Sequence, residues 1–109
     1  MEKFFEEIKN LIPDDYDEFL KYYNEEPYKG LRVNTLKCPG KKLQSLLDFP
    51  LKKTPFCDNG YYYPNEEKGL GKNPLHHAGA FYIQEPSATS AVPMLGVEEG
   101  DFVLDMCSA

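Results

Sequence analysis

The sequence GAFYIQEPSA at residues 79–88 passes from strand character to helix character along its length. Residues 81–83 are aromatic or β-branched, the types enriched in strands. Pro86 suits the first position of a helix, where its missing N–H breaks no hydrogen bond. Glu85, just before it, is expected to cap that helix by accepting from its free backbone N–H groups. The stretch predicts a strand that runs into a helix, whose buried side would comprise Ala88, Ala91, Val92 and Leu95.

Upstream of this junction, the sequence predicts two helices followed by a strand. In residues 1–12 the apolar side chains recur at spacings of three and four, the period of one helix face, and Pro13 ends that helix. A second helix is expected from Asp15, which forms a capping-box pattern with Glu18. Residues 31–35, LRVNT, alternate in character and predict a strand.

Between these strands lie a third helix and a turn. The leucines of residues 43–47 indicate about three helical turns. Residues 58–60, DNG, form a strong turn signal between Phe56 and the tyrosines at 61–63, which predicts a hairpin.

The C-terminal residues 102–109, FVLDMCSA, are an apolar run that ends in an acid followed by small residues. This is how the first strand of a doubly wound nucleotide-binding domain leads into its ligand loop. An edge strand with a frayed terminus explains the same pattern. The predicted class is therefore α+β: N-terminal helices, then a small mixed sheet with packed helices, plus the first strand of an incomplete doubly wound domain.

Composition limits the possible functions. With 109 residues there is room for one modest core, and the net charge of −6 argues against a tight, stand-alone nucleic-acid binder. Three widely spaced cysteines without a Cys-x-x-Cys pair give no support to a zinc site, so no metal is expected. Neither a signal peptide nor a membrane-spanning run is evident, which favours a reduced, cytoplasmic protein without membrane contact.

Three blocks resemble, in order, segments of the Sun-type RNA cytosine-C5 methyltransferases. Residues 31–37, LRVNTLK, resemble that family's entry strand, and residues 79–88 resemble the segment that leads into its catalytic domain. Residues 102–109 resemble the opening of its motif I, where a strand meets the cofactor loop. The resemblance implies a doubly wound catalytic domain that binds S-adenosylmethionine and acts on RNA, with Cys107, Ser108 and Ala109 as the cofactor-binding residues.

That family carries its catalytic cysteines in Pro-Cys and Thr-Cys motifs downstream of motif I, and neither motif occurs in this sequence. The resemblance therefore implies no catalytic residue here. It implies a helical segment at 1–28, an RNA-facing lead-in domain at 29–85 and the start of the methyltransferase domain at 86–109. Such a fragment would help to position ribosomal or transfer RNA for 5-methylcytosine formation and be inactive alone. The alternative is a free-standing RNA-binding or protein-interaction module.

The candidate RNA contacts are Arg32, Asn34 and Lys37. Arg32 and Asn34 share one side of the predicted strand, where they would touch a phosphate or anchor the lead-in domain. A solvated sheet face with Asn34 capping a turn is the structural alternative. Several lysines and the tyrosines of residues 61–63 would form a phosphate-holding and base-stacking patch, unless those tyrosines fill the core. Without partners, the strand at 102–105 is expected to pair within the fragment, to swap with a neighbouring copy or to be poorly ordered.

Overall fold

A computed structural model describes residues 1–106, and the elements in that range form an α+β fold, which confirms the predicted class. The helices are α1 (Glu2–Leu11), α2 (Tyr16–Tyr23), α3 (Gly40–Leu46), α4 (Pro74–His77) and α5 (Ala91–Leu95). The strands are β1 (Lys29–Val33), β2 (Lys52–Lys53), β3 (Gly60–Tyr63) and β4 (Phe81–Ile83). Short 3-10 turns occupy Leu70–Lys72 and Ser87–Ser90.

Helices α1 and α2 form a hairpin held by aromatic rings. Phe5 and Tyr23 meet edge to face with ring centroids 5.2 Å apart, and Phe4 lies 6.4 Å from Phe19. None of the residues in either helix is fully buried. The side chain of Asp15 makes no capping hydrogen bond, so the predicted capping box does not form. The hairpin is thus stabilised by ring contacts between its own helices.

The sheet has the strand order β2-β3-β1-β4, and each of its pairings is antiparallel. The mixed sheet expected from the sequence is wrong in this detail. Strands β1 and β2 run in the same direction but are not neighbours. After β2 the chain reverses through residues 54–59, and β3 then lies between β2 and β1. The hairpin itself forms, although the partner of the tyrosine strand is Lys52–Lys53, not the stretch around Phe56.

One face of the sheet, here called the first face, packs against the hydrophobic core. Leu31 of β1 and Leu43 of α3 are completely buried, and Phe81 of β4 is 2% exposed. Leu70, from the 3-10 turn before α4, closes the same cluster. Helices α3 and α4 and this turn therefore cover one face, as two-layer packing requires.

The second face is crossed by residues 84–90. An added Cβ at Gly30 would lie 2.8 Å from the Gln84 carbonyl oxygen and 2.9 Å from Pro86 Cγ. At Gly60 an added Cβ would lie 3.1 Å from Thr89 Oγ1. Both glycines therefore sit where the chain passes directly over the sheet, a close approach that no larger residue permits.

The prediction of which residues are buried on the last helix is wrong. Ala88, Ala91, Val92 and Leu95 are exposed, whereas Pro86 and Thr89 are buried. The segment that contacts the sheet is a 3-10 turn, with three residues per turn, so that Pro86 and Thr89 fall on one side. The apolar side chains of α5 line a groove with residues 103–106 instead of the sheet, and Val92 and Leu95 stay 43% and 68% exposed.

The strand predicted at residues 102–105 does not form in the structure. These residues pair with no strand of the described part of the chain, and Phe102 and Leu104 are exposed. A strand needs a neighbouring strand to bond its N–H and C=O groups, and the pairings among residues 1–106 do not include this run. The cofactor candidates Cys107, Ser108 and Ala109 lie outside the described residues. Whether the run mediates self-association stays a prediction.

Candidate functional site

Arg32 and Tyr82 form a cross-strand pair on the second face of the sheet. They are register partners on β1 and β4, so their side chains project from the same face. The Tyr82 ring is 67% exposed, and Arg32 is half-buried. Within residues 1–106, the guanidinium has neither a hydrogen-bond partner nor an ion-pair partner. Arg32 is also the single arginine of the sequence.

The pair lines a groove of about 350 Å³, here called the Arg32 groove. Its lining residues are Arg32, Val33, Asn34, Thr35, Leu36, Asn59 and Tyr82. No acidic side chain is among them. A guanidinium presents a planar fork of N–H donors that matches phosphate oxygens, and an exposed ring offers a stacking surface beside it. The groove therefore combines an anion contact with a flat apolar contact.

Asn34, the second predicted contact, holds the end of β1 to the loop before β4. Its Nδ2 donates to the Gly79 carbonyl oxygen at 3.0 Å, and its Oδ1 accepts from the Leu36 N–H at 3.2 Å. Its backbone N–H donates to the Ala80 carbonyl oxygen at 2.9 Å. Asn34 lines the groove, but its amide is engaged within the fold and fixes the groove's wall.

Lys37, the third predicted contact, also bonds within the fold. Its Nζ donates to the Ala78 carbonyl oxygen at 2.9 Å, at the C-terminal end of α4, where a positive charge is favoured. Gly79 follows with a φ of 73° and leaves room for the lysine, since an added Cβ would lie 2.9 Å from Nζ. Lys37 does not line the Arg32 groove.

The lysines and tyrosines predicted as one patch are divided between the two faces. Tyr61 lies against α3, and Tyr63 meets the Phe49 ring at 6.2 Å on the core face. Burial raises the pKa of Tyr63. Tyr62 faces the other way, together with its register partner Lys52. The tyrosines at 61 and 63 therefore belong to the core face, which was the structural alternative for them.

Lys53 forms an ion pair with Asp58, with 2.7 Å between Nζ and Oδ1. The hydrogen bond between them, followed by the attraction of opposite charges, raises the pKa of Lys53 and lowers the pKa of Asp58. Both side chains are largely in solvent, so the pair neutralises a charge more than it stabilises the fold.

Glu85 caps the turn that begins after Pro86. Its carboxylate accepts from the Ser87 hydroxyl, from the Ser87 N–H at 3.1 Å and from the Ala88 N–H at 3.0 Å. The bond from the Ser87 hydroxyl and then the two backbone bonds lower the pKa of Glu85. The predicted cap is confirmed.

Neither metal ligation nor a membrane span finds support in the described range. Among residues 1–106, no group of three or more His, Cys, Asp or Glu side chains is placed to hold a metal ion. Cys38 and Cys57 are buried free thiols in two different connecting segments, before α3 and before β3. None of the helices between residues 1 and 106 has the length and apolar character needed to cross a bilayer.

Comparison with known proteins gives one family and several relatives. A family model described as the N-terminal domain of 16S rRNA methyltransferase RsmF matches residues 1–86. Ribosomal RNA small subunit methyltransferase F is 33% identical over 117 residues in Vibrio vulnificus (strain YJ016) and 36% over 120 residues in Shewanella piezotolerans. The protein of that name from Serratia proteamaculans is 34% identical over 115 residues. These alignments cover 97–99% of this chain but only 24–25% of each relative, so the chain spans about a quarter of their length.

Proposed function

We propose that this chain, which belongs to the family of N-terminal domains of 16S rRNA methyltransferase RsmF, helps to hold ribosomal RNA for methyl transfer by its full gene product. The relatives are named as small-subunit ribosomal RNA methyltransferases, which favours ribosomal over transfer RNA. The observation that carries the proposal is the unpaired Arg32 guanidinium beside the exposed Tyr82 ring. The rest of the sheet's second face is partly covered by residues 84–90, so this groove is where a ligand can reach β1.

The charge of the chain fits a local contact of this kind. A net charge of −6 would oppose broad attachment to a polyanion, whereas one unpaired guanidinium in a groove without acids attracts a single phosphate. Such a contact positions RNA without reading its sequence. Asn34 keeps the groove's wall in place through its bonds to Gly79 and Leu36.

The finer chemistry belongs to the same proposal. S-adenosylmethionine is the proposed methyl donor and 5-methylcytosine the proposed product, both implied by the resemblance to the Sun-type family. Residues 107–109 would contribute to the cofactor loop, with the methyltransferase domain beginning near residue 86, where the family match ends. The proposed location is the cytoplasm. No catalytic residue is assigned within this chain.

An RNA-binding titration of the full gene product with a small-subunit rRNA fragment tests the proposal. Arg32→Gln is expected to weaken binding about tenfold or more, because a hydrogen bond to a charged group contributes about 1.5–3 kcal/mol. It should also reduce the slope of log affinity against log salt by about 0.7–0.9, the value of one phosphate contact.

Lys3→Gln is the matched control, because it removes one positive charge from α1, where Lys3 is 90% exposed. Equal affinities for the two variants would contradict the proposal. Binding without methyl transfer by the full gene product would instead favour the alternative, a module without enzymatic activity.

A further inference from the structure

A second exposed ring stands on the same face of the sheet, near the opposite edge from Tyr82. Tyr28, directly before β1, is 75% exposed, and its ring centroid lies 5.4 Å from that of Tyr62, with the planes tilted by 54°. Neither hydroxyl makes a hydrogen bond to any of residues 1–106. A ring that stays three-quarters in solvent adds little to the core, so burial does not explain its position.

The two tyrosines line a groove of about 460 Å³ with Lys52, Lys53 and Pro55, here called the Tyr28 groove. Its volume lies in the range typical of small-ligand sites. Lys53 is neutralised by Asp58 at 2.7 Å, while the Lys52 ammonium has no hydrogen-bond or ion-pair partner in the described part of the chain. The groove therefore offers aromatic and apolar walls with one unpaired cation.

We propose that the Tyr28 groove is a second RNA contact, in which an unpaired nucleobase stacks on Tyr28 or Tyr62 and its phosphate meets Lys52. Stacking needs a flat exposed ring, and every base has a π-face, so such a contact tolerates sequence variation. A base paired in a helix cannot reach a ring in this way, because its faces are covered by its neighbours. The occupant is thus a single-stranded segment.

The position of the groove relates it to the Arg32 groove. Lys52, Tyr62 and Gly30 are successive register partners across β2, β3 and β1, and Arg32 lies two residues farther along β1. Residues 84–90 cross the face above Gly30 and Gly60, between the two grooves. The inference rests on the proposed function and adds a stacking contact on the other side of this crossing segment.

A tryptophan reporter makes the contact measurable as the difference in emission between the variant and the unsubstituted full gene product, because residues 1–109 contain no tryptophan of their own. The full gene product carrying Tyr28→Trp is titrated with a single-stranded oligouridylate of about 12 nucleotides, within the usual site sizes of such proteins. The matched control is Tyr22→Trp on α2, where Tyr22 is 57% exposed and outside the sheet. Affinities of Tyr28→Leu and of Lys52→Gln are measured in parallel, with a duplex of the same length as the competing ligand.

We expect RNA to quench the added emission of Tyr28→Trp but not that of Tyr22→Trp. Tyr28→Leu should weaken single-strand binding about fivefold or more and leave duplex binding unchanged. Lys52→Gln should reduce the salt slope by about 0.7. If the tryptophan of Tyr28→Trp is already shielded from solvent before RNA is added, the groove is covered by protein. That result would overturn the inference.

Other outcomes separate the two proposals. RNA binding that depends on Arg32 but leaves Tyr28→Trp emission and Tyr28→Leu affinity unchanged would overturn the stacking site and leave the proposed function standing. No RNA binding at all would overturn the proposed function, and the stacking site with it.

Discussion

Replacing Gly30 with alanine tests whether residues 84–90 are held directly against the sheet, the arrangement that separates the two grooves. The added Cβ would lie 2.8 Å from the Gln84 carbonyl oxygen and 2.9 Å from Pro86 Cγ. Neither atom is the end of a flexible side chain, so backbone must move. Gly71→Ala is the matched control, since its added Cβ would meet Ile83 Cδ1 at 3.8 Å, an ordinary contact.

The expected magnitude follows from two opposing effects. Overpacking a close contact costs about 1–3 kcal/mol. Restricting the unfolded chain by removing a glycine returns about 0.4–1 kcal/mol. Gly30→Ala should therefore lower the free energy of unfolding by about 1–2 kcal/mol, whereas Gly71→Ala should leave it unchanged or raise it by up to about 1 kcal/mol.

Urea unfolding of the chain, followed by far-ultraviolet circular dichroism, measures both variants. With an m-value of about 1–3 kcal/mol/M, the Gly30→Ala midpoint should fall by about 0.3–2 M. A Gly30→Ala midpoint equal to that of Gly71→Ala would refute the reasoning, because it would mean that residues 84–86 do not lie on β1.

Three further predictions concern single side chains. Asn34→Ala removes two side-chain hydrogen bonds and should lower the free energy of unfolding by about 1–3 kcal/mol in urea titrations; an unchanged midpoint would contradict those bonds. Because the pKa of Glu85 is lowered below its usual 4.5, its stabilising effect is present above that value and is lost as the pH falls through the folded pKa. The midpoints of wild type and Glu85→Gln should therefore differ at pH 7 and converge in acid, and a constant difference would argue against the cap. Cys38 and Cys57 are 4% and 5% exposed, so a thiol reagent should modify these two residues only at the rate of opening. Immediate modification of either one in native buffer, distinguished from Cys107 by peptide mapping, would contradict its burial.

The parts of the fold that depend on local patterns could be predicted from the sequence. The strand at residues 81–83, the cap at Glu85 and the helix that ends before Pro13 are each determined by neighbouring residues. The family was predicted correctly from three ordered blocks, and the match over residues 1–86 confirms it.

The errors lie where distant segments decide the outcome. An α-helical period of 3.6 residues predicted that Val92 and Leu95 are buried. The segment that contacts the sheet is instead a 3-10 turn, and its buried side chain is that of Thr89. The apolar run at 102–105 has strand-like residues, yet a strand depends on a partner that its own sequence does not supply. A glycine adds nothing to a hydrophobic pattern, so no pattern in the sequence indicated that residues 84–86 pass close to Gly30.

Part of the candidate site could be predicted from the sequence, and its contact with RNA stays a prediction. Arg32 could be selected because it stands in an alternating strand, and the structure leaves its guanidinium unpaired among residues 1–106. Lys37 was also predicted as an RNA contact. Its hydrogen bond to the Ala78 carbonyl oxygen joins residues that are far apart in the sequence, so the sequence pattern could not predict it. Tyr28 was missed because a lone tyrosine before a strand is indistinguishable from a core residue until its 75% exposure is known.

The proposed methyl transfer from S-adenosylmethionine to small-subunit rRNA, measured at steady state for the full gene product with and without Arg32→Gln, tests the central claim most directly. A residue that only holds RNA acts on binding and not on the chemical step, so KM for RNA should rise about tenfold or more while kcat stays unchanged. An Arg32→Gln enzyme with an unaltered KM, or one that loses kcat alone, would contradict the account.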